Sequence, residues 1–198
     1  MKKALVIVAH PDDETIWIGG LILQNPSCDW TIFSLCRADD PDRAPKFKKV
    51  CEHLNAKAII SNLDDESDDP LPIELVKDLI LSNLNEKNYD SIFTHGSNGE
   101  YGHARHLDVH KAVKQLVKEK KLMCKEFWCF AYTKSKQRSL HDRETFIPIA
   151  DKRADWQIKL TPEQHQEKLK IITDLYGFKH PIFETMAASN EESFSLGK

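Results

Sequence analysis

A chain of 198 residues with 40% hydrophobic and 30% charged side chains supports one domain with a substantial core. A formal net charge of -3 with neutral histidines leaves no global basic field and argues against nucleic acid as a partner. The cysteines (Cys28, Cys36, Cys51, Cys124 and Cys129) are odd in number and lack a Cys-x-x-Cys pair, so a reducing, cytoplasmic setting is expected rather than a disulfide framework. No apolar run approaches membrane-spanning length, and the short run behind Lys2 and Lys3 ends in acidic residues instead of a small-residue cleavage site.

Ala4 to Ala9 is rich in valine and isoleucine, as suits a central parallel strand buried on both faces. His10 precedes Pro11, is thereby pushed out of helical dihedrals, and should sit at the strand's end. Asp12 or Asp13 then caps a helix from about Thr15 to Gln24. A second strand is expected over Trp30 to Cys36, a charged loop over Arg37 to Pro45 and a helix over Ala44 to Leu54. A third strand follows at Ala56 to Ser61, an acidic loop at Asp64 to Asp69, a helix at Leu71 to Leu84, and a fourth strand at Asp90 to Thr94. This alternation is the signature of an α/β fold of the three-layer, Rossmann-like kind: a mostly parallel sheet with helices on both faces.

His95 to His103 is a glycine-bearing loop, Ala104 to Glu119 a helix, and Leu122 to Tyr132 a fifth strand that Glu126 interrupts. Lys134 to Trp156 reads as loop with one short strand at Phe146 to Ile149. Thr161-Pro162-Glu163-Gln164 is a strong helix start, and that helix should run to Tyr176 and stop at Gly177. The stretch from His180 to Lys198, full of Ser, Asn and Glu, is expected to fray. The whole chain is read as a single domain, with residues 120–198 its least legible portion. The lysines at 46, 48 and 49 and at 118, 120 and 121 fit solvated helix faces.

Two loops carry chemistry. His10, Asp12 and Asp13 offer an imidazole nitrogen and hard oxygens, a donor mixture that zinc accepts. His103 and His106 are three apart at a helix start and share a face, with His110 a turn deeper. The first and fourth strands of such a sheet are neighbours at its switch point, so His10, Asp13 and His106 come within reach of one ion.

His10-Pro11-Asp12-Asp13-Glu14 with Gly19-Gly20, together with Asn98-Gly99-Glu100-Tyr101-Gly102-His103-Ala104-Arg105-His106, resembles the PIG-L or LmbE-like N-acetylglucosaminide deacetylases over about residues 1 to 120. The resemblance implies a zinc ion, or another divalent transition metal, on His10, Asp13 and His106. It implies Asp12 as general base, His103 as a protonated imidazole beside the oxyanion and departing amine, and Tyr101 as an aromatic assisting that oxyanion. Arg43 matches a substrate-contacting arginine. The chain departs from the pattern at Ala104-Arg105, where many members have Pro-Asp. The implied activity is hydrolysis of an N-acetyl amide on an N-acetylglucosamine-type sugar or conjugate to amine and acetate, by a cytoplasmic enzyme with a small-molecule substrate, no membrane insertion and room for a homo-oligomer. The rival readings are a metallo-hydrolase of another small substrate and a sugar- or metal-binding protein without turnover.

Arg37, with Asp39, Asp40 and Arg43, is a candidate sugar-binding rim. Trp128, Tyr132 and Trp156 fit core or edge positions better than sugar platforms, and Asp64 to Asp69 fits a solvated turn better than a cation site.

Overall fold

In the computed structural model, which describes residues 1–138 and 146–197, the chain folds around β1 (Lys3–Val8). The unbroken apolar run is there for a reason: Leu5 to Ala9 are all without solvent exposure, because helices cover both sides of the strand. Val6 and Val8 point into one apolar layer, Leu5, Ile7 and Ala9 into the other, as the two-residue period of a strand requires. The chain continues through α1 (Asp13–Gln24), β2 (Asp29–Ser34), α2 (Arg43–His53), β3 (Lys57–Ile60), α3 (Ile73–Asn83) and β4 (Asn88–Thr94). A single turn, α4 (Gly99–Gly102), leads into α5 (Ala104–Lys118) and β5 (Met123–Phe130). Beyond them lie β6 (Tyr132–Arg138), β7 (Phe146–Ala150), β8 (Trp156–Lys159), α6 (Pro162–Lys170) with a π-helical turn at Ile171–Leu175, α7 (Phe183–Ala187) and β9 (Glu191–Leu196).

The main sheet runs β3-β2-β1-β4-β5-β9-β8. Its first five strands are parallel; β9 is antiparallel to β5, and β8, antiparallel to β9, runs again in the direction of the first five. Chain order reverses at β1, with β2 on one side and β4 on the other, so a crevice opens outside the C-terminal ends of β1 and β4. The expected α/β fold is thus observed, with its mostly parallel sheet and both faces covered.

The C-terminal third differs from its expectation. Lys134 to Trp156 is not mainly loop: β6 and β7 pair as an antiparallel ribbon, and β8 joins the main sheet. Residues 139–145 of that loop lie outside the described residues. Glu126 does not break β5; it sits exposed within a continuous strand, its carboxylate accepting from Ser91 Oγ at 3.2 Å. The helix start at Thr161 is realised as a reciprocal cap, with Gln164 N–H donating to Thr161 Oγ1 and Thr161 N–H donating to the Gln164 amide oxygen. The stretch expected to fray instead supplies β9, whose Phe194 is fully buried against Phe93 and Trp156. Trp128 and Trp156 pack on each other with centroids 5.4 Å apart, in the edge role expected of them.

Glu192, fully buried on β9, explains the second of the two glycines of the first motif, Gly20. Its carboxylate accepts from the amides of Gly20 and Leu21 at 2.7 and 2.9 Å and from Lys168 Nζ at 2.7 Å. A Cβ on Gly20 would stand 2.4 Å from Leu160 Cδ2 and 2.9 Å from Glu192 Oε1, so only glycine admits this approach. Gly20→Ala is therefore expected to destabilise the protein by about 1–3 kcal/mol, the usual cost of overpacking, read as a lowered midpoint of urea unfolding.

Candidate active site

The loops after β1 and β4 meet at the crevice. Asp13, the first residue of α1, is the centre of the arrangement. Its Oδ1 accepts from Trp17 Nε1 at 2.8 Å, one turn along the helix, and its Oδ2 accepts from the His10 amide at 2.8 Å. Oδ2 also faces His10 Nδ1 and His106 Nε2, each at 3.4 Å.

Hydrogen bonds behind the imidazoles decide which nitrogens face the crevice. Glu100 Oε2 lies 2.6 Å from His106 Nδ1 and 2.8 Å from His95 Nδ1. His106 Nδ1–H therefore donates to Glu100, which leaves Nε2 as the lone-pair nitrogen; that atom is buried and has no hydrogen-bond partner. On the other side, His10 Nε2 lies 3.0 Å from Asp65 Oδ1, so a proton there leaves Nδ1 free toward Asp13.

His95 stacks on His106 with ring centroids 3.8 Å apart. Against the cost of burial, Glu100 and Asp13 draw the His95 imidazole toward protonation. The Ala9 amide nevertheless points at its Nε2 from 2.9 Å, and an amide hydrogen requires a lone pair there. That contact fixes His95 as a neutral Nδ1–H imidazole and uses up the nitrogen it would offer to an ion. His110 is further from the chemistry: its Nδ1 bonds the His95 carbonyl at 2.8 Å and braces the loop.

Ligand atoms of His10, His103 and His106 lie within 4.8 Å of one another, as do those of Asp13, His95 and His106. His10 and Asp13 fall in different groups that share His106; the 3.4 Å contacts of Asp13 Oδ2 with His10 Nδ1 and His106 Nε2 link them, and His103 stands at the edge. Its ring centroid is 4.8 Å from those of both His10 and His106. Burial, reinforced by those two neighbouring imidazoles, pushes His103 down to about 3, away from the protonated imidazole that the family resemblance implied.

A cavity of about 190 Å³ opens over this cluster, walled in part by Asp12, Arg37, Arg43, Tyr101, Phe183 and Glu184. Asp12 holds a left-handed backbone at φ 114°, a strained conformation that turns its carboxylate back into the cavity without capping α1. Burial and the adjacent Asp13 charge hold it well above the usual carboxylate range, opposed by Arg43, whose Nη1 lies 3.2 Å away. Arg43 is fixed in turn over the Phe178 ring, 4.3 Å from its centroid. Tyr101 packs between His106 and Phe183. Arg37 borders the cavity with its guanidinium on Asp65 at 2.7 Å, while Asp39 and Asp40 stand outside the wall.

The acidic run is exposed as a solvated turn should be, with Asp65 the exception. This aspartate is largely buried, and Arg37 and His10 hold it far below its ordinary range against the cost of burial. Arg105 anchors the same loop, donating to the carbonyls of Ser67 and Asp69 while pairing with Asp108 at 2.9 Å. His95, Glu100 and Asp65 were not singled out from the sequence. His95 had a signal: it ends the fourth strand as His10 ends the first. Glu100 lay inside the second motif with no role assigned to it, and Asp65 had no signal, since one aspartate among several looks like solvent-facing charge.

A family model described as GlcNAc-PI de-N-acetylase matches residues 5–117. The uncharacterised protein L374 of Acanthamoeba polyphaga mimivirus is 26% identical over 124 residues, covering 54% of this chain and 54% of that protein. The alignment thus spans about half the length of that curated relative. Among solved structures, the N,N'-diacetylchitobiose deacetylase of Pyrococcus horikoshii superposes with a TM-score of 0.68 at 16% identity, over 98% of this chain and 83% of that one. A deacetylase of the teicoplanin biosynthesis pathway gives 0.64 at 13%, over 88% and 84%. GalB, the 4-carboxy-2-hydroxymuconate hydratase of Pseudomonas putida, gives 0.60 at 15%, over 94% and 83%. At these identities the likeness is one of fold, and the fold carries more than one reaction.

Proposed function

The chain belongs to the PIG-L family of GlcNAc-PI de-N-acetylases, and on that premise we propose that it is a divalent-metal-dependent amide hydrolase that removes the N-acetyl group of an N-acetylglucosamine-type sugar or conjugate. One observation carries the reading. The unpartnered, buried Nε2 of His106, the Nδ1 of His10 and the anchored Oδ2 of Asp13 converge beneath a cavity that also presents a second carboxylate, Asp12. Two nitrogens and a carboxylate oxygen suit zinc or a similar ion and leave a position open, as catalytic sites of this type do. When bound, such an ion lowers the pKa of water toward neutrality and polarises an acyl oxygen.

The residues of the chain supply the rest. Asp12 takes a proton from the attacking water as its oxygen adds to the acyl carbon, and returns that proton to the nitrogen as the carbon–nitrogen bond breaks, giving acetate and a primary amine. Neutral His103 donates an N–H to the developing oxyanion, and the Tyr101 hydroxyl lies in the same wall. Arg43 orients Asp12 and, with Arg37, meets the hydroxyls of the sugar. The substrate is a small molecule, the setting cytoplasmic; no helix among the described residues is long and apolar enough to cross a membrane.

The test is amine release from a panel of N-acetylated amino sugars and their glycosides by protein loaded with one equivalent of zinc, iron or cobalt. Turnover is expected with at least one substrate, and a chelator should abolish it. Removing metal held at a hundredfold excess over its dissociation constant should also cost about 2.7 kcal/mol of stability. A metal-loaded sample that releases no amine from the whole panel overturns the proposal. Glu100→Gln, which loosens the partner of His106, is expected to weaken metal affinity by about 10–100-fold in a competition titration.

A further inference from the structure

We propose that Cys36, Asp65 and His10 form a second cation seat, suited to a thiophilic ion, that competes with the first seat for His10. The loops after β1 and β2 lie side by side because the Cys36 amide donates to the Ala9 carbonyl at 2.9 Å. This pairing brings the buried Cys36 beside His10, and one ligand atom each from His10, Cys36 and Asp65 lies within 4.8 Å of the others. Asp65 is already oriented toward such an ion, since Arg37 holds its Oδ2 at 2.7 Å and leaves Oδ1 turned toward His10 Nε2 at 3.0 Å. Sulfur, nitrogen and oxygen donors in this mixture fit zinc, and the thiolate favours softer ions such as cadmium. The thiol proton passes to solvent as the sulfur–metal bond forms, and the thiolate and Asp65 carboxylate together balance a dication.

Competition follows from the valence of imidazole. The first seat takes His10 Nδ1 and leaves a hydrogen on Nε2 for Asp65. The second takes Nε2 and leaves the hydrogen on Nδ1, facing Asp13 Oδ2 at 3.4 Å. A neutral ring serves one seat at a time. Filling the second seat strips the first of a ligand, so excess thiophilic metal inhibits. That consequence for turnover rests on the proposed hydrolase; the seat itself does not.

Cadmium titration of the full chain tests it, read by the ultraviolet charge-transfer band of a cadmium–thiolate bond. The wild type should develop a band of one-thiolate intensity, and Asp13→Ala should keep it, since the second seat does not use Asp13. Cys36→Ala should lose it, as should the closer isostere Cys36→Ser, while mass spectrometry still finds one zinc in each. A wild type without the band, or a band of equal intensity in both Cys36 variants, overturns the proposal. A panel without turnover, with the band behaving as described, removes only the hydrolase reading.

Discussion

Asp12→Asn is expected to retain a full equivalent of metal and to lower kcat by about 10²–10⁴-fold, the range over which a positioned general base acts. The substitution isolates that role. Asparagine is nearly isosteric and, like aspartate, tolerates the left-handed backbone that this position adopts. Its amide oxygen still accepts from Arg43, which lies 3.2 Å from the present carboxylate, so the wall of the cavity keeps its shape. What disappears is a basic oxygen able to take a proton from water. Single-turnover amine release, with metal content measured on the same sample, separates the outcomes. Loss of the metal would make Asp12 a ligand, and activity within about tenfold of wild type would place the base elsewhere.

Glu192→Ala should destabilise the fold by about 3–5 kcal/mol, the cost of breaking a buried ion pair by removing one partner. Glu192 and Lys168 are both without solvent exposure, and their 2.7 Å contact sits against the amides of Gly20 and Leu21. Truncation strands a buried ammonium, whose remaining contact is the Ser189 carbonyl at 3.2 Å. Replacing both charges, as Lys168→Met with Glu192→Leu, should be less damaging than either single change, because no unpaired charge is left behind. Urea unfolding of the three variants measures the coupling. A single-variant loss under about 1 kcal/mol would show that the pair contributes little.

The parallel half of the molecule was legible because its physics is local. A two-sided strand needs a continuous apolar run, and Leu5 to Ala9 supplies one; the helices between strands carry their own periodicity and stops. The proposed ligand trio could be assembled from sequence because the ends of β1 and β4 share an edge of the sheet, so that the segments that follow them, carrying His10 and His106, meet. The segment around Glu192 was illegible for the opposite reason. Ser189-Asn190-Glu191-Glu192 has the composition of a solvated tail, and only Lys168 and the α1 amides, more than twenty residues away, make the inward glutamate tolerable. Asp65 was hidden in the same way, its meaning set by Arg37 and His10.

The seat of β9 between β5 and β8 has a consequence for biosynthesis. The Gly20 amide waits for a partner 172 positions later. At ribosomal speeds of roughly 5–20 residues per second, that amide stays without its partner for on the order of ten seconds or more, and the edge of β5, once made, stays open to other chains for several seconds. Chaperone dependence during translation, and aggregation of ribosome-stalled fragments ending before residue 191, are the expected signs of that delay.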